Sequence, residues 1–354
     1  MRQQLSVAGF EQVVSCRDAQ SGLHAIIAIH DTTLGPAVGG TRMMPYETEQ
    51  LALADVLRLS RAMTYKAAAA GLDFGGGKAV IIGDPERDKT RELLLAYGRF
   101  LEALGGAFIT GEDVGTTAGD MRLAAHETRY AIFPQAELDP TWETAFLTAR
   151  GVMRGIEASA REALGTGSLS GLSVAVQGVG KVGGHLARML HSEAVRLMLC
   201  DVERERAASL AAELGAACLE PAEIYETAAD VFCPCALGGV LNDAVIPRLR
   251  CRIVAGAANN QLAENRHDQQ LWERGILYAP DYVINAGGLI SALYEMGTWD
   301  RAAVMACTDA VYDRLLDVFA LARRLGLPTQ AAADRLVEER LQRARAEPRA
   351  TGRP

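Results

Sequence analysis

Apolar positions along this chain follow two different rhythms. Residues 23–30, LHAIIAIH, form an isoleucine-rich run that reads as a strand. The next stretch, DTTLGPAVGGTRMMP, is punctuated by glycine and proline and reads as a loop. From Glu49 to about Ala70 the period becomes helical. Leu53, Val56, Leu59, Met63 and Lys66 recur at three- and four-residue steps, so Lys66 shares a face with apolar neighbours. Residues 78–82 read as a strand, Thr90–Leu104 as an amphipathic helix, and AFIT (107–110) as a short strand ending at GEDVGTT. This half is α/β with mixed order.

Beyond Tyr130 a polar loop leads into a long helix over roughly 143–163, and then the order becomes regular. Strand VAVQG (174–178) precedes helix 182–192, and strand RLMLCD (196–201) precedes helix 203–214. Strands at 230–234, 253–256 and 277–281 follow, with short helical pieces between them. Alternation at this spacing predicts a doubly wound parallel sheet of Rossmann type. Residues 286–294 and 300–345 read as helical; the basic end after Leu341 reads as a frayed tail.

Length and charge narrow the function classes. A chain of 354 residues exceeds what one core usually holds, so two domains are expected. Net charge is −8, with no basic block before the last dozen residues, which argues against a nucleic-acid partner. No apolar run approaches the ~20 residues of a spanning helix, and the N-terminus is too polar for a signal peptide, so a cytoplasmic protein is expected. Seven scattered cysteines fit reduced thiols. Cys233 and Cys235 are the one close pair; without two more ligands they read as structural, and no metal is expected.

The segment VAVQGVGKVGGHLA carries Gly178, Gly180 and Gly183 in G-x-G-x-x-G spacing, between a predicted strand and a predicted helix. Asp201 ends the next strand, which completes the context a dinucleotide fingerprint requires. The first glycine makes the turn, the second admits the pyrophosphate, and the third lets the helix pack on the strand. Asp201 would accept from ribose hydroxyls and repel a 2′-phosphate, favouring NAD, although Arg204 and Arg206 nearby leave NADP open.

Two lysines raise a different question. Lys78 directly follows three glycines in GLDFGGGK, and Lys66 lies at the end of an apolar helix. An amine beside apolar surface loses hydration and becomes a base near neutral pH. Lys66, kept charged, would pair with a carboxylate, and Asp113 in TGEDVGTT would shuttle protons. Each residue also has an ordinary structural role: a snorkelling helix end, a strand start, a helix cap. Beside a dinucleotide domain, the three together favour hydride chemistry on an amino acid.

The segments IIAIHDTTLGPAVGGTRM, MTYKAAAAG, GGGKAVIIGDP, FITGEDVGTT, CPCALGGVLND, AGAANNQL and APDYVINAGG resemble the glutamate/leucine/phenylalanine/valine dehydrogenases, above all the leucine type. The resemblance spans about residues 10–340. It implies a substrate-binding and oligomerisation domain over 1–142, an NAD domain over 143–328, and a returning helix and tail over 329–354, with a cleft between the domains. It implies that Lys66 binds the substrate α-carboxylate with the backbone around Gly40. Lys78 is then the base that activates water, Asp113 its proton partner, and Asn260 a holder of the amino group. Val38, Met63, Gly111, Leu289 and Ala292 would line the side-chain pocket. Thr148 would contact the nicotinamide amide. Lys181, Val182, Cys235, Ala236, Ala257 and Asn285 would join the glycines and Asp201 around the cofactor. The implied reaction converts an L-amino acid to its 2-oxo acid and ammonia in a homo-oligomer.

Against family members, the trimmed positions Val38, Gly111 and Ala292 imply a wider pocket that suits phenylalanine or tryptophan, partly offset by the bulk of Leu289. Leucine or valine is the alternative. The stretch Phe133–Leu147 departs from the family pattern, lacking its glycine-rich loop while adding Glu137, Asp139, Glu143 and Trp142. That departure leaves two further readings: a homologue with lost or weakened deamination, or a biosynthetic enzyme acting on an unusual amino or imino acid.

Overall fold

The computed structural model describes residues 1–133 and 144–347. The chain forms two compact units, one of residues 1–133 with 337–347 and one of residues 144–336.

The first unit is a six-stranded sheet of β1 (Arg2–Leu5), β2 (Gln12–Asp18), β3 (Leu23–Asp31), β4 (Ala37–Met44), β5 (Gly75–Ile82) and β6 (Phe108–Glu112). Their order is β1-β2-β3-β5-β4-β6. β4 runs parallel to both β5 and β6, while the other pairs are antiparallel. Successive side chains point to opposite faces. Ile27, Ile29 and Ile81 therefore pack with Leu94, Tyr97 and Leu101 of helix α2 (Arg91–Glu102). Ile26, Ala28 and Val80 pack with Ala52 and Val56 of helix α1 (Glu49–Ala69) on the other face. Burial on both faces explains the unbroken apolar run of β3. Helix α3 (Ala118–Ala124) follows β6 and starts with a capping box between Thr117 and Asp120.

α1 begins where Thr48 accepts the amide of Leu51 and ends at Gly71, which takes φ +73°. Its last carbonyls have partners from a distant element. Arg340 donates to the carbonyls of Ala68 (2.6 Å) and Leu72 (3.0 Å) and pairs with Asp73. Arg340 belongs to helix α12 (Thr329–Ala346), which begins in the second unit and ends in the first.

The second unit holds an all-parallel sheet of β7 (Ser173–Gln177), β8 (Arg196–Cys200), β9 (Ala217–Cys218), β10 (Val231–Pro234), β11 (Ile253–Val254) and β12 (Leu277–Tyr278). Its order, β12-β11-β10-β7-β8-β9, reverses direction at β7. Helices α4 (Thr144–Leu164), α5 (Lys181–Ser192), α6 (Arg204–Leu214), α7 (Arg266–Glu273), α8 (Asp281–Ile284), α9 (Gly287–Glu295), α10 (Arg301–Asp309) and α11 (Val311–Leu325) accompany it. In open parallel sheets ligands bind at the carboxyl ends of strands where the order reverses. The end of β7 is that place.

Three expectations need correcting. The stretch expected to be a loop after β3 contains β4, an interior strand hydrogen-bonded on both sides. Its glycines look like loop residues, but close packing against β5 and β6 requires them. The strand expected from Lys78 begins at Gly75, so Lys78 sits mid-strand, and AFIT continues through Gly111 and Glu112. The end expected to fray after Leu341 stays helical to Ala346, where Arg345 pairs with Asp31. β1, β2, β9 and α3 were not anticipated. Most of the divergent 133–147 stretch, with Glu137, Asp139, Trp142 and Glu143, lies outside the described residues.

Candidate active site

In the first unit the register sets one row across three strands. Val38 lies opposite Gly76 and Thr41 opposite Ala79, which puts Gly40 beside Lys78, and Gly40 pairs with Gly111 on β6. Glycine is needed at position 40. A Cβ there would come within 2.9 Å of Asp113 Cβ and the Glu112 carbonyl, and 3.2 Å of Lys78 Nζ. The missing side chain is the space that the amine and the carboxylate use. Gly76, two residues before Lys78, would meet the α1 backbone at Thr64 if it carried a Cβ, so α1 packs tightly over this face.

Lys78 is buried, and its Nζ lies 3.1 Å from Asp113 Oδ2. Burial pushes the ammonium below its ordinary value; Asp113 opposes that, and Arg42 adds to it. Burial works to raise Asp113, but Lys78 and Arg42 outweigh it and hold the carboxyl below the usual range. The loop carrying Asp113 is sewn to β4. Thr116 Oγ1 accepts the Asp113 amide (2.9 Å) and donates to the Thr41 carbonyl (2.7 Å), and the Met43 amide donates to the Val114 carbonyl (2.9 Å). Gly115 at φ +78° permits that turn. Asp113 caps no helix; Thr117 caps α3.

Lys66 lies in the last turn of α1, partly exposed, in the helix end that Arg340 secures. Val38 is buried on β4, and Met63 lies within contact distance of a Cβ built on Gly39. A Cβ on Gly111 would meet only Ile132, at 3.5 Å. The structure thus brings Val38, Gly40, Gly111 and Lys78 together on adjacent strands, with Asp113 in the turn after β6 and Met63 and Lys66 on the helix packed against them. Sequence reasoning missed Arg42 and Asp55. Arg42 donates to Asp113 Oδ2 and to Asp55 Oδ2, both at 2.9 Å. Had β4 been read as a strand, the two-residue step from Gly40 would have placed Arg42 on the same face.

The second unit carries a nucleotide turn. Gly178 takes φ +91° at the end of β7, and a Cβ on Gly183 would strike the Gly178 carbonyl at 2.0 Å. Gly180 caps α5 with open space around it and no side-chain cap, so the first-turn amides of Lys181, Val182 and Gly183 have no side-chain acceptor. Ala236 packs on Gly178 and Cys235 on Gly183. Asp201 accepts the Val179 amide at 2.8 Å and the Glu203 amide at 2.9 Å, with Arg206 more loosely at 3.5 Å, which leaves room on the carboxylate for a further donor. Thr148 is buried, and its hydroxyl donates to the Thr144 carbonyl, keeping its acceptor side. Asn285 is buried; its Nδ2 donates to Asn259 Oδ1 (2.8 Å) and to the Ala257 carbonyl (3.1 Å), while its Oδ1 has no hydrogen-bond partner among the described residues. An orphaned acceptor of this kind costs free energy unless a ligand donates to it. These features fit a dinucleotide. Asn260 is exposed at φ +50°, while Leu289 is buried and Ala292 partly exposed on α9. Cys233 and Cys235 are free thiols with sulfurs 3.6 Å apart. Among the described residues no cluster suits a metal ion, and no helix is long and apolar enough to cross a membrane.

A glycine turn at the switch point of a parallel sheet suits a dinucleotide, and the same chain buries a lysine against a carboxylate. Comparison with known proteins agrees. Residues 10–130 match the Glu/Leu/Phe/Val dehydrogenase dimerisation domain, and residues 197–319 match the Glutamate/Leucine/Phenylalanine/Valine dehydrogenase model. Leucine dehydrogenase from Geobacillus stearothermophilus is 51% identical over 336 residues, covering 95% of this chain and 92% of that protein. Phenylalanine dehydrogenase from Caldalkalibacillus thermarum is 47% identical over 342 residues, covering 95% and 92%. The crystal structure of L-tryptophan dehydrogenase from Nostoc punctiforme superposes with TM-score 0.87 at 48% identity, covering 96% of this chain and 97% of that one. The chain belongs to the Glu/Leu/Phe/Val dehydrogenase family and is an amino acid dehydrogenase, an oxidoreductase.

Proposed function

We propose that the protein catalyses reversible NAD-dependent oxidative deamination of a large apolar L-amino acid to its 2-oxo acid and ammonia. The observation that carries the reading is the buried Lys78 amine, 3.1 Å from Asp113 and pushed below its ordinary value by burial. A nicotinamide bound at the glycine turn would supply the acceptor for the hydride of the substrate Cα. Lys66 holds the α-carboxylate, with the backbone around Gly40. Lys78 takes a proton from the water that adds to the iminium carbon, and Asp113 exchanges protons with Lys78. Collapse of the carbinolamine releases ammonia. A positioned base of this kind contributes about 10²–10⁴-fold.

The choice of NAD rests on Asp201 and on the two arginines beside it. Arg204 pairs with Glu220 at 2.8 Å, and Arg206 pairs with Glu203 at 2.5 Å and stands 3.5 Å from Asp201, so both arginines already face carboxylates. In the first unit the side chain of the substrate is assigned to Val38, Met63 and Gly111. Their small or apolar character disfavours a second carboxylate, which would be desolvated and unpaired. A second reading, leucine as the preferred substrate, is supported by Ile132, which stands 3.5 Å from a Cβ on Gly111 and takes up part of the room. The proposal includes a homo-oligomer working in the cytoplasm on small molecules, with no nucleic acid or membrane partner; the dimerisation-domain match and the seven free cysteines support it.

The test is NADH absorbance with purified protein, NAD and a panel of phenylalanine, tryptophan, leucine, methionine, valine and glutamate. The highest kcat/KM is expected for an aromatic substrate, with leucine or methionine still accepted, because each methylene is worth only about 1–3 kcal/mol. Gly111→Ala should move the ratio toward the smaller substrates. Valine as best substrate with the aromatics inert would refute the pocket reading. Lys78→Met should lose turnover while NAD still binds; retained turnover would remove Lys78 from the role of base.

A further inference from the structure

Arg42 stands behind the catalytic pair rather than in it. It lies on β4, two residues after Gly40, with its side chain only 18% exposed. Its Nε donates to Asp113 Oδ2 at 2.9 Å, and its Nη1 donates to Asp55 Oδ2 at the same distance. Asp55, on α1, also accepts the Tyr46 hydroxyl at 2.7 Å and Arg58 Nη2 at 2.7 Å. The result is an alternating chain of charge: Lys78, Asp113, Arg42, Asp55, Arg58.

Asp113 Oδ2 is therefore shared by two nitrogens, Lys78 Nζ at 3.1 Å and Arg42 Nε at 2.9 Å. With Lys78 alone, that carboxylate would hold the amine as ammonium, since an opposite charge at this distance favours the charged form. A guanidinium does not give up its proton in a protein. Without Lys78, the four remaining groups of the chain sum to zero charge: two arginines against two aspartates.

We propose that Arg42 is a positioning residue that holds the Asp113 carboxylate and takes up its charge, so that Lys78 works as a neutral amine. The inference rests on the reading of Lys78 as the base. A lysine in place of Arg42 would not serve equally, because two carboxylates in different directions need the planar fork. The elements packed against β5 carry further titratable groups: Glu112 at the end of β6, Asp55 and Lys66 on α1, and His30 on β3, while the Tyr46 phenol sits on Asp55. Burial is the largest influence on Lys78; Asp113 favours its charged form, Arg42 disfavours it, and Asp55 favours it more weakly.

The experiment compares Arg42→Met, Arg42→Lys and Asp55→Asn with the parent protein in two ways. One is the pH profile of kcat for deamination. The other is competitive labelling of Lys78 with acetic anhydride, mapped by mass spectrometry, which reads the amine without turnover. Arg42→Met should move the acid limb and the labelling midpoint to higher pH by about one to three units, with activity recovering in alkali. Arg42→Lys should fall between. Asp55→Asn should move both midpoints the other way, because Arg42 then faces Lys78 with less counter-charge. Loss of activity by one constant factor at every pH, with the Lys78 midpoint unmoved, would overturn the proposal and leave Arg42 a structural residue. If Arg42→Met does not fold, the direction of the Asp55→Asn shift decides: down supports, unmoved or up overturns. If Lys78→Met keeps turnover, the base assignment has failed, and the labelling midpoints still report whether Arg42 tunes that amine.

Discussion

Gly40→Ala is expected to damage catalysis far more than folding. The added Cβ would lie 2.9 Å from Asp113 Cβ, 2.9 Å from the Glu112 carbonyl oxygen and 3.2 Å from Lys78 Nζ. Carbon atoms rest at about 3.5–4.0 Å, so Asp113 would have to withdraw by about 0.6–1.1 Å. The Glu112 carbonyl belongs to a strand end and yields little, so the displacement falls on the Lys78–Asp113 pair. Overpacking of this size costs about 1–3 kcal/mol of stability. Misplacing a catalytic group by about 1 Å costs on the order of 10²-fold in rate. The assay is kcat and KM by NADH absorbance, thermal unfolding in parallel, and a cofactor titration to show that the nucleotide unit is intact. Gly119→Ala is the control, because its Cβ would meet only the Thr117 hydroxyl, at an ordinary 3.5 Å. A Gly40→Ala enzyme whose kcat stays within about twofold of the parent would refute the claim that this space belongs to the amine and carboxylate.

Other substitutions probe the supports. Asp201→Asn should narrow the preference for NAD over NADP, because it removes the negative charge while keeping an acceptor for the Val179 amide; equal kcat/KM for the two cofactors in the parent would instead remove Asp201 from the discriminating role. Arg340→Ala should cost about 1–3 kcal/mol by stripping the Ala68 and Leu72 carbonyls of their donor, and should raise the substrate KM through Lys66 in the same helix end; an unchanged KM would separate the two. Asp268 accepts the Ala331 amide and is pushed up to about 6 by burial, against an ordinary 3.8. Its native form keeps a proton that the unfolded chain releases, so this contribution is fully present below about pH 4 and falls by roughly 3 kcal/mol as pH rises through about 6. Asp268→Asn should lose that dependence and gain stability relative to the parent at pH 7.5 rather than at pH 4, as read by unfolding midpoints; a difference that does not vary with pH would refute it.

The nucleotide turn was legible because everything that makes it lies within one short segment. Gly178 needs its positive φ and Gly183 its closeness to the Gly178 carbonyl, and both demands appear as glycines in a fixed spacing. The alternating strands and helices of the second unit were legible for the same reason: parallel strands buried on both faces leave continuous apolar runs. Lys78 stood out as an amine directly after three glycines, and Asp113 as a loop carboxylate at the end of a predicted strand. β4 did not. Its two central glycines and the preceding proline imitate a loop, and only hydrogen bonding to β5 and β6 makes it an interior strand. Arg42 was hidden with it, since an arginine in a loop has no face. The Arg42–Asp55 contact and the return of Arg340 to the end of α1 join residues 13 and 272 positions apart, respectively. Local pattern carries the spacing of turns and the faces of helices. Which charge neutralises which is decided by the packed sheet, where burial makes an unpaired charge too costly to leave alone.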